Sequence, residues 1–190
     1  MKCPKEPKAR LTDGTLAPDL EAKCCPDCGG AWIPPENYIV WQKQRGIDRD
    51  QEPQVDVLPS EAGVSFAISP LDNRAALCPD CGHYLVRGRV VLRDSMFFVE
   101  RCPNCKGYWC DRGEWEILQQ LKLDTHLENI FSDLWQNQVK ELEATERERR
   151  ATVEKLGEAI ASKIFELADL LEKHPNGDFG VAYLMRRFEE

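Results

Sequence analysis

Two CxxC pairs constrain this chain more than any other feature. They are Cys78 and Cys81 in "CPDCG" and Cys102 and Cys105 in "CPNCKG", with twenty residues between them. A CxxC turn places two sulfurs on one side of a tight loop, where the following backbone N–H groups can bond the thiolates. Two such knuckles supply the four ligands of a tetrahedral structural zinc site. The competing interpretation, two redox dithiols, would call for a thioredoxin-like βαβ pattern around a pair, and neither pair has one. The spacing therefore predicts a metal site of Cys78, Cys81, Cys102 and Cys105.

Between the knuckles, "YLVRGRVVLRDSMFFVER" has two runs rich in Val, Leu and Phe. It predicts a hairpin turning at Asp94-Ser95, with Arg89 facing Glu100 across the strands. In "DRGE", Asp111 would cap a helix and Glu114 would reach back to it. The helix "EWEILQQLKL" would then pack Trp115, Leu118 and Leu121 onto the hairpin. With "CPDCG" and "CPNCKGYWCDRGEWEIL" set against the pattern CPxCGxxL…CPxCxGxWLDxGELexL, residues 78–121 resemble the transcription-factor-IIB-type zinc ribbon of small bacterial proteins. The resemblance implies a hairpin-plus-helix fold and zinc ligation by those same four cysteines, and it implies no activity. Cys110 departs from the pattern at an aliphatic position, so it is expected to be a small buried hydrophobe rather than a ligand.

A second cysteine cluster repeats the first imperfectly. Cys25, Cys28, Gly30, Trp32, Tyr38 and Trp41 align with Cys102, Cys105, Gly107, Trp109, Trp115 and Leu118. Cys3 aligns with Cys78, but Glu6 stands where Cys81 should be. Pro34 and Pro35 suit the first turn of a following helix, where a missing N–H costs little. A second zinc at Cys3, Cys25 and Cys28 is expected, with the Glu6 carboxylate as fourth ligand. Cys24 is the alternative fourth ligand, although adjacent side chains point apart on an extended chain. A water-completed site and a half held by packing alone also remain open. A ribbon of about 40 residues is near the lower limit for folding without a staple.

The expected fold is thus two tandem small zinc-ribbon β domains, each a hairpin plus a short helix, followed by a long coiled-coil-like helical region. The divisions are 1–42 and 76–123 for the ribbons, 43–75 for a Pro-, Asp- and Glu-rich linker, 124–174 for the helical region, and 175–190 for a turn and short helix. In the linker only Val64, Phe66 and Ile68 alternate like a strand. In the tail, Thr125 with Glu128 would start the helix and Pro175 would end it. One apolar stripe runs through Leu127, Ile130, Leu134, Gln138 and Leu142, flanked by Phe131 and Trp135. Another runs through Val153, Leu156, Ile160, Ile164, Leu167 and Leu171, close to a heptad seam. "ELEATERERR" between them is charged on every face and is a solvated bridge or a break. The terminal helix would present Val181, Leu184, Met185 and Phe188. The tail either folds back as an antiparallel hairpin on the ribbons or associates with a partner.

Charge and histidines narrow the function classes. A formal net charge of −8 argues against general duplex binding, which needs phosphate neutralisation. Residues 124–174 carry twelve acids and seven bases, which disfavours nucleic acid there. There is no apolar run of membrane-spanning length and no apolar leader segment, so a cytoplasmic protein is expected. His83, His126 and His174 are scattered and build no catalytic constellation, although His83 could support Cys81. The sequence points to a non-enzymatic zinc-binding adaptor with protein partners and self-association through the tail. The alternatives are a transcription-associated or nucleic-acid-binding ribbon using Phe97, Phe98 and Tyr108 as stacking faces, and a hydrolase or redox protein using the incomplete first site.

Overall fold

Period-2 alternation organises the molecule around a sheet with two differently used faces. In the computed structural model, which describes residues 1–46, 68–92 and 95–188, the strands are β1 (Thr12–Ala17), β2 (Leu20–Cys24), β3 (Ala31–Ile33), β4 (Val86–Val91), β5 (Met96–Arg101) and β6 (Tyr108–Cys110). They form one six-stranded antiparallel sheet in the order β1-β2-β3-β6-β5-β4. Each half contributes three consecutive strands, and the halves join edge to edge through β3 and β6. At that seam Trp32 lies opposite Trp109, with Ala31 opposite Cys110 and Ile33 opposite Tyr108.

Alternation along β6 sends Trp109 to one face and Tyr108 and Cys110 to the other. On the first face, Trp32 and Trp109 cluster with Cys3, Cys25, Cys78 and Cys102. On the second, Ile33, Val99, Tyr108 and Cys110 meet α1 (Pro35–Gln44) and α2 (Glu114–Gln120). Trp41 of α1 meets Trp115 of α2 edge to face at 5.8 Å. A 3₁₀ turn (Leu127–Phe131) and the start of α3 (Asp133–Leu156) complete this core with Leu127, Ile130, Trp135 and Val139. Tyr38 ties the layers together: its hydroxyl donates to the Asp124 carbonyl at 2.7 Å and accepts from the Leu127 N–H at 3.0 Å.

Several local expectations change. Arg87, not Arg89, stands opposite Glu100, and Arg89 faces Phe98. The last hairpin pair is Val91 with Met96, and the Leu92 N–H bonds the Ser95 carbonyl at 2.9 Å. The register is displaced by two residues, which keeps every side chain on its expected face. Asp94, expected in the turn, lies outside the described residues, as do Val64 and Phe66; Ile68 is described and belongs to no strand. Glu114 does reach back, accepting from the Asp111 N–H at 2.7 Å, but Gly113 is the α2 N-cap residue. Asp111 instead accepts the Trp109 indole N–H at 2.7 Å.

The tail differs more. Thr125 caps no long helix; Ser132 Oγ accepts from the Trp135 N–H at 3.2 Å at the α3 start. Leu127, Ile130 and Leu142 turn to the core as expected, but between them Trp135 and Val139 take the places expected of Leu134, which is exposed, and Gln138. "ELEATERERR" is continuous α3, and the break comes at Gly157, with φ +74°. The molecule divides into two compact units, Met1–Leu142 and Glu143–Glu190. The second contains α4 (Glu158–Lys173) and α5 (Gly177–Phe188), closely packed where Gly177 and Gly180 meet Leu171. No helix among the described residues is long and apolar enough to cross a membrane.

The seam makes a stability prediction. A Cβ on Gly107 would stand 2.3 Å from Trp32 Cζ2 and 3.0 Å from the Ile33 carbonyl oxygen, and Gly30 is pressed by Trp109 in the same manner. Gly107→Ala should destabilise the zinc-loaded protein by about 1–3 kcal/mol through overpacking, read from the midpoint of urea unfolding. At Gly82, where φ is +74° and nothing lies within 4 Å of an added Cβ, alanine should cost only the left-handed backbone strain, about 1–2 kcal/mol.

Candidate metal centres

Each cysteine cluster is built from knuckles hung on strand ends. Cys78 and Cys81 precede β4, and Cys102 and Cys105 join β5 to β6. The Cys78 N–H bonds the His83 carbonyl at 2.7 Å and the Cys102 N–H bonds that of Gly107 at 2.9 Å, closing both loops. The four sulfurs all lie within 4.8 Å of one another. Cys78 to Cys105 measures 3.6 Å and Cys81 to Cys102 measures 3.4 Å. Thiolates on a zinc ion at about 2.3 Å would be separated by about 3.8 Å along a tetrahedron edge, so the group has the size zinc requires. The Cys105 N–H points at Cys102 Sγ at 3.4 Å, as a thiolate requires.

His83 belongs to this site. Its Nδ1 lies 3.3 Å from Cys81 Sγ. The His83 backbone N–H is the main influence drawing the Cys81 thiol down to about 5, with the ring and neighbouring side chains adding to it. Burial pushes Cys78 and Cys105 the other way. Cys110 is buried on the opposite face against the helices, far from the cluster, and burial drives its thiol well up.

The other half brings Cys3, Cys25 and Cys28 together, all sulfurs again within 4.8 Å. Cys3 to Cys28 is 3.7 Å. The Cys28 N–H points at Cys25 Sγ at 3.5 Å and the Glu6 N–H at Cys3 Sγ at 3.2 Å. Among the described residues no further His, Cys, Asp or Glu atom joins these three. Glu6 therefore holds the knuckle position of a fourth ligand by its backbone, while its carboxylate stays outside the cluster. Cys24 lies on β2, and its sulfur is turned to Gly14, where an added Cβ would come within 2.8 Å. The donor sets, four thiolates and three, fit zinc.

Behind the paired tryptophans lies a charged cluster that the sequence did not announce. Lys5, inside the Cys3–Glu6 knuckle, is fully buried and ion-paired with Glu100, and its Nζ is 3.8 Å from Asp111. It also donates to the carbonyls of Leu71, Asp72 and Arg74 at 3.1, 3.3 and 3.0 Å. Arg74 returns a bond to the Lys5 carbonyl at 2.7 Å. Residues 71–74, assigned to the linker by composition, are thereby fastened to the first knuckle. Asp72, Asp111 and Glu114 approach one another here, all buried. Burial raises Glu100 to about 8 despite Lys5, raises Asp72, and drives Glu114 well above the usual carboxylate range. A reciprocal contact crosses the seam, where the Trp32 indole donates to Asp80 of the opposite knuckle at 2.8 Å.

Two outcomes follow. Lys5→Met would leave Glu100 and Asp111 buried without their cation, and should cost about 3–5 kcal/mol in denaturant unfolding of the zinc-loaded chain. Glu114 holds its proton in the fold to a higher pH than in the unfolded chain. Its contribution is therefore full below its unfolded pKa and is lost as pH rises towards the raised folded one. Glu114→Gln should keep the Asp111 N–H bond and flatten the fall of thermal stability with rising pH, whereas Glu114→Ala should lose about 1–3 kcal/mol at every pH.

No curated protein and no solved structure matches the chain. Residues 77–120 match the family model described as a transcription factor zinc-finger, the transcription-factor-IIB-type zinc ribbon; the match spans all four ligands of the complete site and leaves residues 3–41 outside it.

Proposed function

We propose that the protein is a non-enzymatic zinc-binding adaptor, in which two ribbons, each stapled by a zinc ion, form a rigid head and the helical unit supplies self-association. The head reading is supported by the equivalence of the halves: three strands, a knuckle pair and a following helix each, meeting at Trp32 and Trp109. Three thiolates at zinc spacing support a second ion, and Glu6 stands at the knuckle position of the missing ligand by its backbone.

The observation that carries the association reading is the apolar face of the second unit. A groove of about 790 Å³ runs between α4 and α5, lined by Ile164, Leu167, Leu171, Val181, Leu184 and Phe188. Phe188 is 84% exposed and Leu167 41%. Patches of this kind on a soluble protein mark interaction sites. α4 has an excess of acids, among them Glu166, Asp169 and Glu172, and α5 ends on Arg186 and Arg187.

The nucleic-acid alternative draws less support. Phe97 and Tyr108 are buried, and Phe98 is half-buried with the Arg87 guanidinium 4.8 Å over its ring. Arg101 lies over Tyr108 and Phe131 at 5.6 and 5.7 Å. The stacking faces and several of the cations that a single strand would need are engaged internally.

Native mass spectrometry tests both parts at once. The expected species is an oligomer with two zinc ions per chain, and Leu167→Glu should shift it to monomer with the zinc count unchanged. A wild-type monomer in dilute solution would remove the association reading, and one zinc per chain would remove the second-ion reading.

A further inference from the structure

The two metal centres differ at one corner, and that difference has chemical content. In the complete site Cys81 fills the fourth corner, with a half-buried side chain. In the other site Glu6 occupies the matching backbone position, its N–H on Cys3 Sγ at 3.2 Å. A glutamate carries its oxygen farther along the side chain than a cysteine carries its sulfur. From the same backbone position it reaches a corner sized for cysteine only by folding back, and its carboxylate lies outside the cluster. The corner also faces outward: Cys3 and Cys25 are buried, whereas Cys28 and Glu6 are half-buried.

Resting on the two-zinc reading above, we propose that the Cys3–Cys25–Cys28 centre has an exchangeable fourth position, which takes a low-molecular-weight thiol. Three thiolates already make the bound metal soft and electron-rich, so a fourth thiolate suits it better than a carboxylate or water. On exchange the thiol loses its proton to solvent, the new metal–sulfur bond forms, and the metal–oxygen bond to Glu6 or water breaks. No electron is transferred and no second reactant is consumed. The partly buried setting favours a small thiol over a cysteine on a folded partner. The four-thiolate centre, closed by Cys81, is the built-in control.

The test uses the full chain loaded with two Co²⁺ ions, whose sulfur-to-metal charge-transfer absorption grows with the number of bound thiolates. With 2-mercaptoethanol in the millimolar range, absorption per chain should rise by about one-seventh, as seven protein thiolates become eight sulfur ligands. Ethylene glycol, the oxygen counterpart, should produce no rise. Glu6→Cys should begin at the higher absorption and ignore the thiol, and Glu6→Ala should respond at lower thiol concentration than wild type. Two metals per chain with no thiol response in wild type would overturn the exchangeable corner while leaving the two-metal reading standing. One metal per chain before any thiol is added would overturn both. Loss of a metal on thiol addition, seen by native mass spectrometry, would show stripping instead of ligation and would also overturn the proposal.

Discussion

The pairing of β3 with β6 is the constraint on which the first unit depends. Each half is small for a self-sufficient core, and each has a strand edge that would otherwise be unpaired. Joining the edges satisfies both ladders and places Trp32 directly opposite Trp109. Each indole then lies over the glycine of the opposite knuckle loop, Gly30 or Gly107, too close for any side chain there. The cysteine-bearing loops are thus packed by the other half's tryptophan as well as by their own. The opposite face works alike: Ile33 and Tyr108, also paired across the seam, sit on helices drawn from both halves.

The cross-seam polar contacts extend this dependence. Asp80, between Cys78 and Cys81, accepts the Trp32 indole, while Lys5, between Cys3 and Glu6, reaches Glu100 and Asp111 of the other half. Each knuckle therefore holds its own thiols and touches the opposite half within a few residues. Metal binding that orders one knuckle also orders the contact it makes across the seam, so the two sites share a scaffold.

What was legible in the sequence was local. CxxC spacing found six of the seven clustered thiols because a knuckle is defined within a few residues, and the alignment of the two halves added Cys3. The α2 start was legible through Glu114, and the α1 start through Pro34 and Pro35. The seam was not legible, since nothing in "GAWI" or "KGYWC" says that two copies of a short strand will pair with each other. Lys5 was hidden for a related reason. A lysine beside a cysteine turn has the look of a solvated charge, and the acids around it come from residues 72, 100 and 111. The hairpin register slipped by two residues because alternation fixes the face of a strand and leaves its partner to the turn. Gly157 was a clearer stop than the charged "ELEATERERR", since charged residues are good helix formers on an exposed surface and a glycine at φ +74° is not.

The buried Lys5 cluster is best understood as a device for choosing the partner edge. Desolvating a lysine and several carboxylates is expensive, and well-packed apolar residues could serve stability equally well. What an apolar patch cannot do is reject a shifted pairing. If β6 moved along β3, Glu100 and Asp111 would lose the Lys5 ammonium while remaining buried, and Asp80 would lose the Trp32 indole. The indoles resist such a shift as well, since each is seated on the glycine of the opposite knuckle and would meet a side chain if displaced. The indoles on their glycines and the ionic groups behind them therefore set one register together, the one at which both cysteine clusters close.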